Sequence, residues 1–334
     1  MKVLVVKTSS MGDVIHTLPA LTDAAEALPG IVFDWVVEEA FHEVPAWHPS
    51  VRKVIPVAIR RWRKAPLKAL SSGEWGRYRT ALAAERYDAV IDAQGLLKST
   101  LLATRLAKGK RFGMDRASAR EPAAALFYDR GIVVPKGIHA VDRTRRLFAG
   151  ALGYTMPEGR GRYGIEVPTS AVADGAPYLV FLHGTTRHDK HWPELYWAEL
   201  IALAVAQGFG IKLVWGNAAE QARAERLASA GPMVEVLPRS SLTTIAQVLS
   251  QAAGIVSVDT GLSHLAAALG RPNVVLFGPT DPGLVGGYGE RQVCLEARHF
   301  QPSGRDVDPA IFAPLTPEIV LSTLDRLLKS EEAR

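Results

Sequence analysis

The chain has one cysteine, Cys294, in 334 residues. No internal disulfide can form, and a reducing compartment is expected. Long hydrophobic runs are also missing. None approaches the roughly 20 residues that a membrane-spanning helix needs. The apolar N-terminal run turns polar at Lys7-Thr8-Ser9-Ser10, too early for a secretory signal, and reads as a buried first strand. There is no internal repeat and no low-complexity tract. The turn after the first strand lacks the three spaced glycines of a dinucleotide fingerprint. It also lacks the terminal Gly-Lys-Ser/Thr of a phosphate-binding NTPase loop; neither pattern is expected anywhere in the chain, which counts against both classes. Charge is not balanced: the formal net charge is +5. That balance favours anionic partners, whether nucleic acid, acidic lipid or a phosphorylated substrate, without choosing among them.

What is present is an alternation of short β-rich runs and longer amphipathic ones. Residues 2–6, 31–37, 54–57 and 89–92 read as strands, and 18–27, 78–85, 97–107 and 141–152 as helices. The segment 155–177 holds Pro157, Gly159, Gly161, Gly164, Pro168, Gly175 and Pro177 with little periodicity, and is the expected linker. The alternation then restarts, with strands at 178–183, 211–215, 234–236, 255–258 and 274–277. Helices are expected at 194–207, 218–230, 242–252 and 263–269, and a last one at 317–328. Continuous apolar strands between helices indicate an α/β protein with two doubly wound parallel sheets. In such folds ligands sit beyond the carboxyl ends of the strands, so the strand-to-helix turns are the places to search.

The first turn, Lys7 to Val14, contains the acid Asp13. It is either a helix-capping acid stabilised by free N–H groups or a general base. The turn from Leu182 to Pro193 offers Thr185, Thr186 and Lys190 to a diphosphate. Its histidines, His183, His188 and His191, match no trusted metal spacing, and Lys190 would repel a cation. In Val258-Asp259-Thr260-Gly261-Leu262-Ser263-His264, an apolar strand enters a helix through a tight turn. Asp259 and Gly261 suit a cap and a turn, whereas His264 falls in the first helical turn, where an anion would also bind. Gly278 to Gly283 reads as a rigid turn that either covers a ligand or is ordinary loop. The densest positive cluster is Arg60-Arg61-Trp62-Arg63-Lys64, by default a solvated face, alternatively a recognition surface for phosphate, carboxylate or lipid headgroups.

These blocks, together with Asp34-Trp35-Val36-Val37-Glu38-Glu39, Val90-Ile91-Asp92-Ala93-Gln94-Gly95-Leu96 and Asp189-Lys190-His191-Trp192-Pro193, resemble the bacterial lipopolysaccharide heptosyltransferase I family, within glycosyltransferase family nine. The likeness runs through almost the whole chain, in order. It implies a GT-B fold of two Rossmann-like halves facing across a cleft: 1–165 for the acceptor, 166–316 for the donor, and a C-terminal helix, 317–334, crossing back to the first half. It implies inverting, metal-independent transfer of heptose from ADP-L-glycero-β-D-manno-heptose to Kdo2-lipid A, with no cofactor. The enzyme would be a monomer at the cytoplasmic face of the inner membrane, in peripheral contact with its anionic surface and without a nucleic-acid partner.

Carried over residue by residue, the resemblance makes Asp13 the base. Thr185, Thr186, Lys190, Glu220, Ser240, Asp259, Thr260, Gly261, Leu262 and His264 become donor contacts. Ser10, Gly12, Arg60, Arg61, Arg63, Lys64 and Arg120 become acceptor contacts. Ser240 stands where the family often has methionine, so only a backbone contact to adenine would survive there. The competing readings are a later-acting heptosyltransferase, a nucleotide-sugar epimerase and a non-catalytic binder of anionic lipid.

Overall fold

The computed structural model describes residues 1–168, 176–301 and 303–332; Gly175 of the expected linker lies outside them. The chain divides into two compact units, Met1–Glu166 and Val167–Arg334.

The first unit is built on β1 (Lys2–Val6), β2 (Val32–Glu38), β3 (Val51–Val57), β4 (Arg86–Asp92), β5 (Lys108–Met114) and β6 (Arg130–Ile132). All pairings are parallel, in the order β3-β2-β1-β4-β5-β6. Val3 to Val6 of the central β1 are fully buried, as expected of a parallel strand covered on both faces. Strands β5 and β6 escape a hydropathy reading. The first is Lys-Gly-Lys-Arg-Phe-Gly-Met and the second spans three residues at the sheet edge.

The second unit carries β7 (Tyr178–Leu182), β8 (Gly210–Leu213), β9 (Val234–Val236), β10 (Gly254–Val258), β11 (Asn273–Phe277) and β12 (Gln292–Glu296). Its order, β12-β11-β10-β7-β8-β9, is that of the first sheet once six is subtracted from each number and the row is read from the other end. In both units the strand order reverses between the first and fourth strands. A doubly wound sheet offers its ligand crevice at that switch point, beyond the carboxyl ends of the two strands. The turns after β1 and β4, and after β7 and β10, are therefore the topological candidates.

The last helix, Pro317–Glu332, was expected to cross to the first half. Within the second unit it packs on the helix Glu194–Ala206 and on β10 and β11. Val320, Leu321 and Leu324 join Leu179, Phe181 and Trp197 in one apolar cluster. Gly254 permits this approach, since a Cβ there would lie 2.9 Å from Leu324 Cδ1.

The helix expected over 97–107 is a single turn, Leu97–Ser99, followed by a π-helical segment, Thr100–Thr104. Its cause is the fully buried Asp92 carboxylate, which accepts hydrogen bonds from Thr100 Oγ1 and Thr104 Oγ1 at 2.9 Å and from Gly95 N at 2.9 Å. Arg105 N correspondingly donates to Thr100 O, five residues back, the wide-turn pattern. The run Gly159-Arg160-Gly161-Arg162-Tyr163-Gly164 does have dinucleotide-type spacing, but it lies in irregular chain outside any strand-to-helix turn. Arg145, buried against Asp23, donates to Gly159 O at 2.8 Å and pins that segment.

Candidate active site

In the first unit the switch-point turn runs from Lys7 into the short helix Met11–Ile15. Ser10 precedes the helix and Asp13 is its third residue. Asp13 Oδ2 accepts from Ser10 N at 2.8 Å and Ser10 Oγ at 3.0 Å. Lys7 Nζ lies 3.6 Å from Oδ1. The capping reading is thus realised, and it does not displace the functional one: the Asp13 side chain remains 39% exposed. Gly12 is buried within the helix.

The turn is held by Gln94, which follows β4. Its Oε1 accepts from Thr8 N at 2.9 Å, Thr8 Oγ1 at 3.3 Å and Ser9 N at 3.0 Å. Lys7 Nζ donates to Ala93 O at 3.0 Å. Gln94 and Lys7 were quoted within recognisable blocks without a role. Their positions at the ends of β4 and β1 were the available signal.

The basic cluster forms a short helix, Ile59–Lys64. Its four cations are not equivalent. Arg61 is shared between Glu39 and Glu74 through four hydrogen bonds of 2.8–3.0 Å. Arg60 lies over the Phe41 ring, 5.6 Å from its centroid, and its backbone N–H donates to Glu38. Burial pushes the Glu38 carboxyl above its ordinary range. Arg63 and Lys64 are exposed, with no ion pair among the described residues. Arg120, also exposed, sits in a loop tied back to the β4 turn by Leu97 N donating to Glu121 Oε2 at 2.7 Å and Glu121 N donating to Gly95 O.

In the second unit four strand ends contribute. Thr185, after β7, donates from Oγ1 to Asp259 O at 3.2 Å. Lys190 Nζ is 2.5 Å from Asp259 Oδ2, and Thr280 Oγ1, after β11, donates to the same oxygen at 2.9 Å. Asp259, Thr260 and Gly261 lead into the helix Gly261–Ala268, with Leu262 half-buried and His264 buried in its first turn. Thr186 is exposed beside this group.

Glu220, after β8, accepts from Gly216 N at 2.7 Å, and a Cβ on Gly184 would lie 2.8 Å from its Cδ. It therefore stands where the β7 and β8 turns meet. Ser240 is different: its Oγ donates to Pro238 O at 2.8 Å, so the hydroxyl serves its own loop.

Of the three histidines near β7, His183 is fully buried. Among the described residues neither ring nitrogen has a close hydrogen-bond partner. Burial holds it neutral, with its pKa pushed down to about 4. His191 is also shifted down by burial. Among the described residues no three His, Cys, Asp or Glu side chains come together as a metal-binding group.

Two doubly wound parallel sheets, one presenting an acid at its switch point and the other an ammonium and a helix N-terminus, fit the expected GT-B architecture. Comparison with known proteins makes this particular. The glycosyltransferase family 9 (heptosyltransferase) model matches residues 75–312. Lipopolysaccharide heptosyltransferase 1 of Escherichia coli (strain K12) is 59% identical over 299 residues, 89% of this chain and 94% of that protein. The solved E. coli heptosyltransferase WaaC with ADP superposes with a TM-score of 0.90 at 54% identity, over 98% of this chain and 100% of that one. The same enzyme with ADP-2-deoxy-2-fluoro heptose gives 0.86 at 53% identity, over 98% and 99%. The chain belongs to glycosyltransferase family 9, the heptosyltransferases.

Proposed function

We propose that this glycosyltransferase moves L-glycero-D-manno-heptose from ADP-L-glycero-β-D-manno-heptose to the Kdo residue of Kdo2-lipid A, adding the first heptose of the lipopolysaccharide inner core. The observation that carries this reading is the identity with heptosyltransferase 1 over nine-tenths of the chain. Among later-acting relatives, heptosyltransferase 2 of E. coli is only 25% identical.

The chemistry is a single displacement. The Asp13 carboxylate takes the proton of the acceptor hydroxyl, whose oxygen forms a bond to the anomeric carbon. The bond from that carbon to the ADP β-phosphate oxygen breaks, and the configuration inverts. Charge then develops on the departing diphosphate. Lys190, the hydroxyls of Thr185 and Thr186, and the N–H groups at the start of Gly261–Ala268 supply fixed positive potential for it without a metal ion. Glu220 accepts the two ribose hydroxyls. Ser240 offers only its backbone to the adenine, since its hydroxyl has a local partner.

Arg60, Arg63, Lys64 and Arg120 face the Kdo carboxylates and lipid A phosphates. Leu67, 80% exposed beside this cluster, rests in the headgroup layer of the anionic cytoplasmic face of the inner membrane. The enzyme acts there as a peripheral monomer. No helix among the described residues is long and apolar enough to cross a membrane.

The deciding experiment is acceptor competition in EDTA. Kdo2-lipid A should be heptosylated and already heptosylated core should not. Heptosylation of the core alone would assign the chain to a later step, and loss of transfer in EDTA would refute the metal-free mechanism.

A further inference from the structure

Resting on the donor-site reading above, we propose that Thr280 is a positioning residue for diphosphate binding. It acts through Asp259 on Lys190. The geometry is a three-member chain. Lys190 Nζ and Thr280 Oγ1 both donate to Asp259 Oδ2, at 2.5 and 2.9 Å. The three residues come from the turns after β7, β10 and β11. The Lys190 side chain is 18% exposed and that of Asp259 10%, so these are partly dry contacts in which charge is weakly screened.

A carboxylate beside a diphosphate-binding lysine has two opposed effects. It aims the ammonium, and it also competes with the phosphates and repels them. A hydroxyl donating to the same oxygen draws off part of that charge. It also fixes the carboxylate rotamer and hence the direction of the lysine. Without the Thr280 hydroxyl, Asp259 grips Lys190 harder and repels the diphosphate more strongly. Both changes weaken nucleotide binding.

The turn that carries Thr280 is built for this approach. A Cβ on Gly278 would lie 2.9 Å from the Phe312 ring and 3.2 Å from Asp189 O. A glycine thus lets the β11 turn press against the loop that ends in Lys190. Thr185 Oγ1 on Asp259 O adds a second tie at the backbone. The chain explains why Asp259 is paired on two sides and acts on the donor through Lys190.

The test is ADP titration of the full chain by calorimetry, with wild type, Thr280→Val, Thr280→Ser, Lys190→Ala and the double variant. Thr280→Val keeps the shape and removes the donor, and should weaken ADP about tenfold, a coupling of the size usual between residues in contact. Thr280→Ser should bind within about twofold of wild type. In the Lys190→Ala background Thr280→Val should cost clearly less than tenfold, because only the repulsion by Asp259 is left to act.

Wild-type ADP affinity in Thr280→Val would overturn the proposal. So would the same tenfold loss in both backgrounds, which is what a purely structural defect gives. If Lys190→Ala itself bound ADP like wild type, the donor-site reading would fail at its own step. If Thr280→Val does not fold, Thr280→Ala against Thr280→Ser makes the same comparison.

Discussion

Removing Gln94 should open the turn after β1, which it holds. Gln94→Leu roughly preserves bulk and removes the side-chain amide, whose single oxygen serves three donors: Thr8 N, Thr8 Oγ1 and Ser9 N. Thr8 is 1% exposed, so its N–H cannot recover a water partner without the turn opening. A buried donor left unsatisfied costs about 1–3 kcal/mol. With two backbone N–H groups affected, the first unit should lose roughly 2–4 kcal/mol. For a unit of this size that lowers its unfolding temperature by about 5–15 °C.

The turn also carries Asp13, and displacing a reacting group by about 1 Å costs on the order of a hundredfold in rate. Transfer should fall by that factor while ADP affinity, which the proposal assigns to the second unit, stays within about twofold. Gln94→Glu retains an acceptor oxygen and should recover most of the stability. Differential scanning calorimetry and an ADP-release assay read both quantities. A Gln94→Leu protein with wild-type melting and turnover would refute the reasoning about this turn.

Other outcomes follow from the same geometry. Asp13→Asn should lower transfer by about 10²–10⁴, the usual worth of a general base, with calorimetric ADP binding retained; wild-type turnover would remove Asp13 from the mechanism. Arg63→Ala and Lys64→Ala should raise KM for the anionic acceptor more than Arg61→Ala does, because Arg61 is already neutralised by Glu39 and Glu74. The reverse ranking in steady-state kinetics would contradict this. His183 carries a pH prediction. Its folded pKa, about 4, lies below the ordinary 6.5, so the unfolded chain binds the proton more readily. Its stabilising contribution, at most about 3 kcal/mol, is complete above pH 6.5 and is lost as pH falls from 6.5 towards 4. Urea midpoints across that window should fall less steeply in His183→Met than in wild type, and identical slopes would disprove the assignment.

The fold was legible where burial dictates composition. The mainly apolar β1, β7, β10 and β11 stand within a residue or two of their expected bounds. Edge strand β9 also stands at its expected bounds, whereas β5, β6 and β12 were not expected. In β5 and β12, charged or amide side chains replace the apolar run, and only their pairing with β4 and β11 makes them strands. The site was legible as turns. Asp13, Lys190 and Asp259 stand at strand ends that a switch-point argument selects. What the sequence could not express is partnership across turns. Gln94 lies 86 residues from Thr8, and Thr280 lies 21 from Asp259. The neutralisation of Arg61 likewise depends on Glu39 and Glu74, one on either side of it in sequence and both beside it in space.

The central claim is that ADP leaves only when heptose is passed to Kdo. The direct measurement is ADP release from ADP-L-glycero-β-D-manno-heptose by the purified chain in EDTA, with and without Kdo2-lipid A. Release that requires the acceptor, matched mole for mole by heptosylated Kdo2-lipid A, is the predicted result. Release without acceptor, or acceptor-dependent release with no heptosylated product, would contradict it.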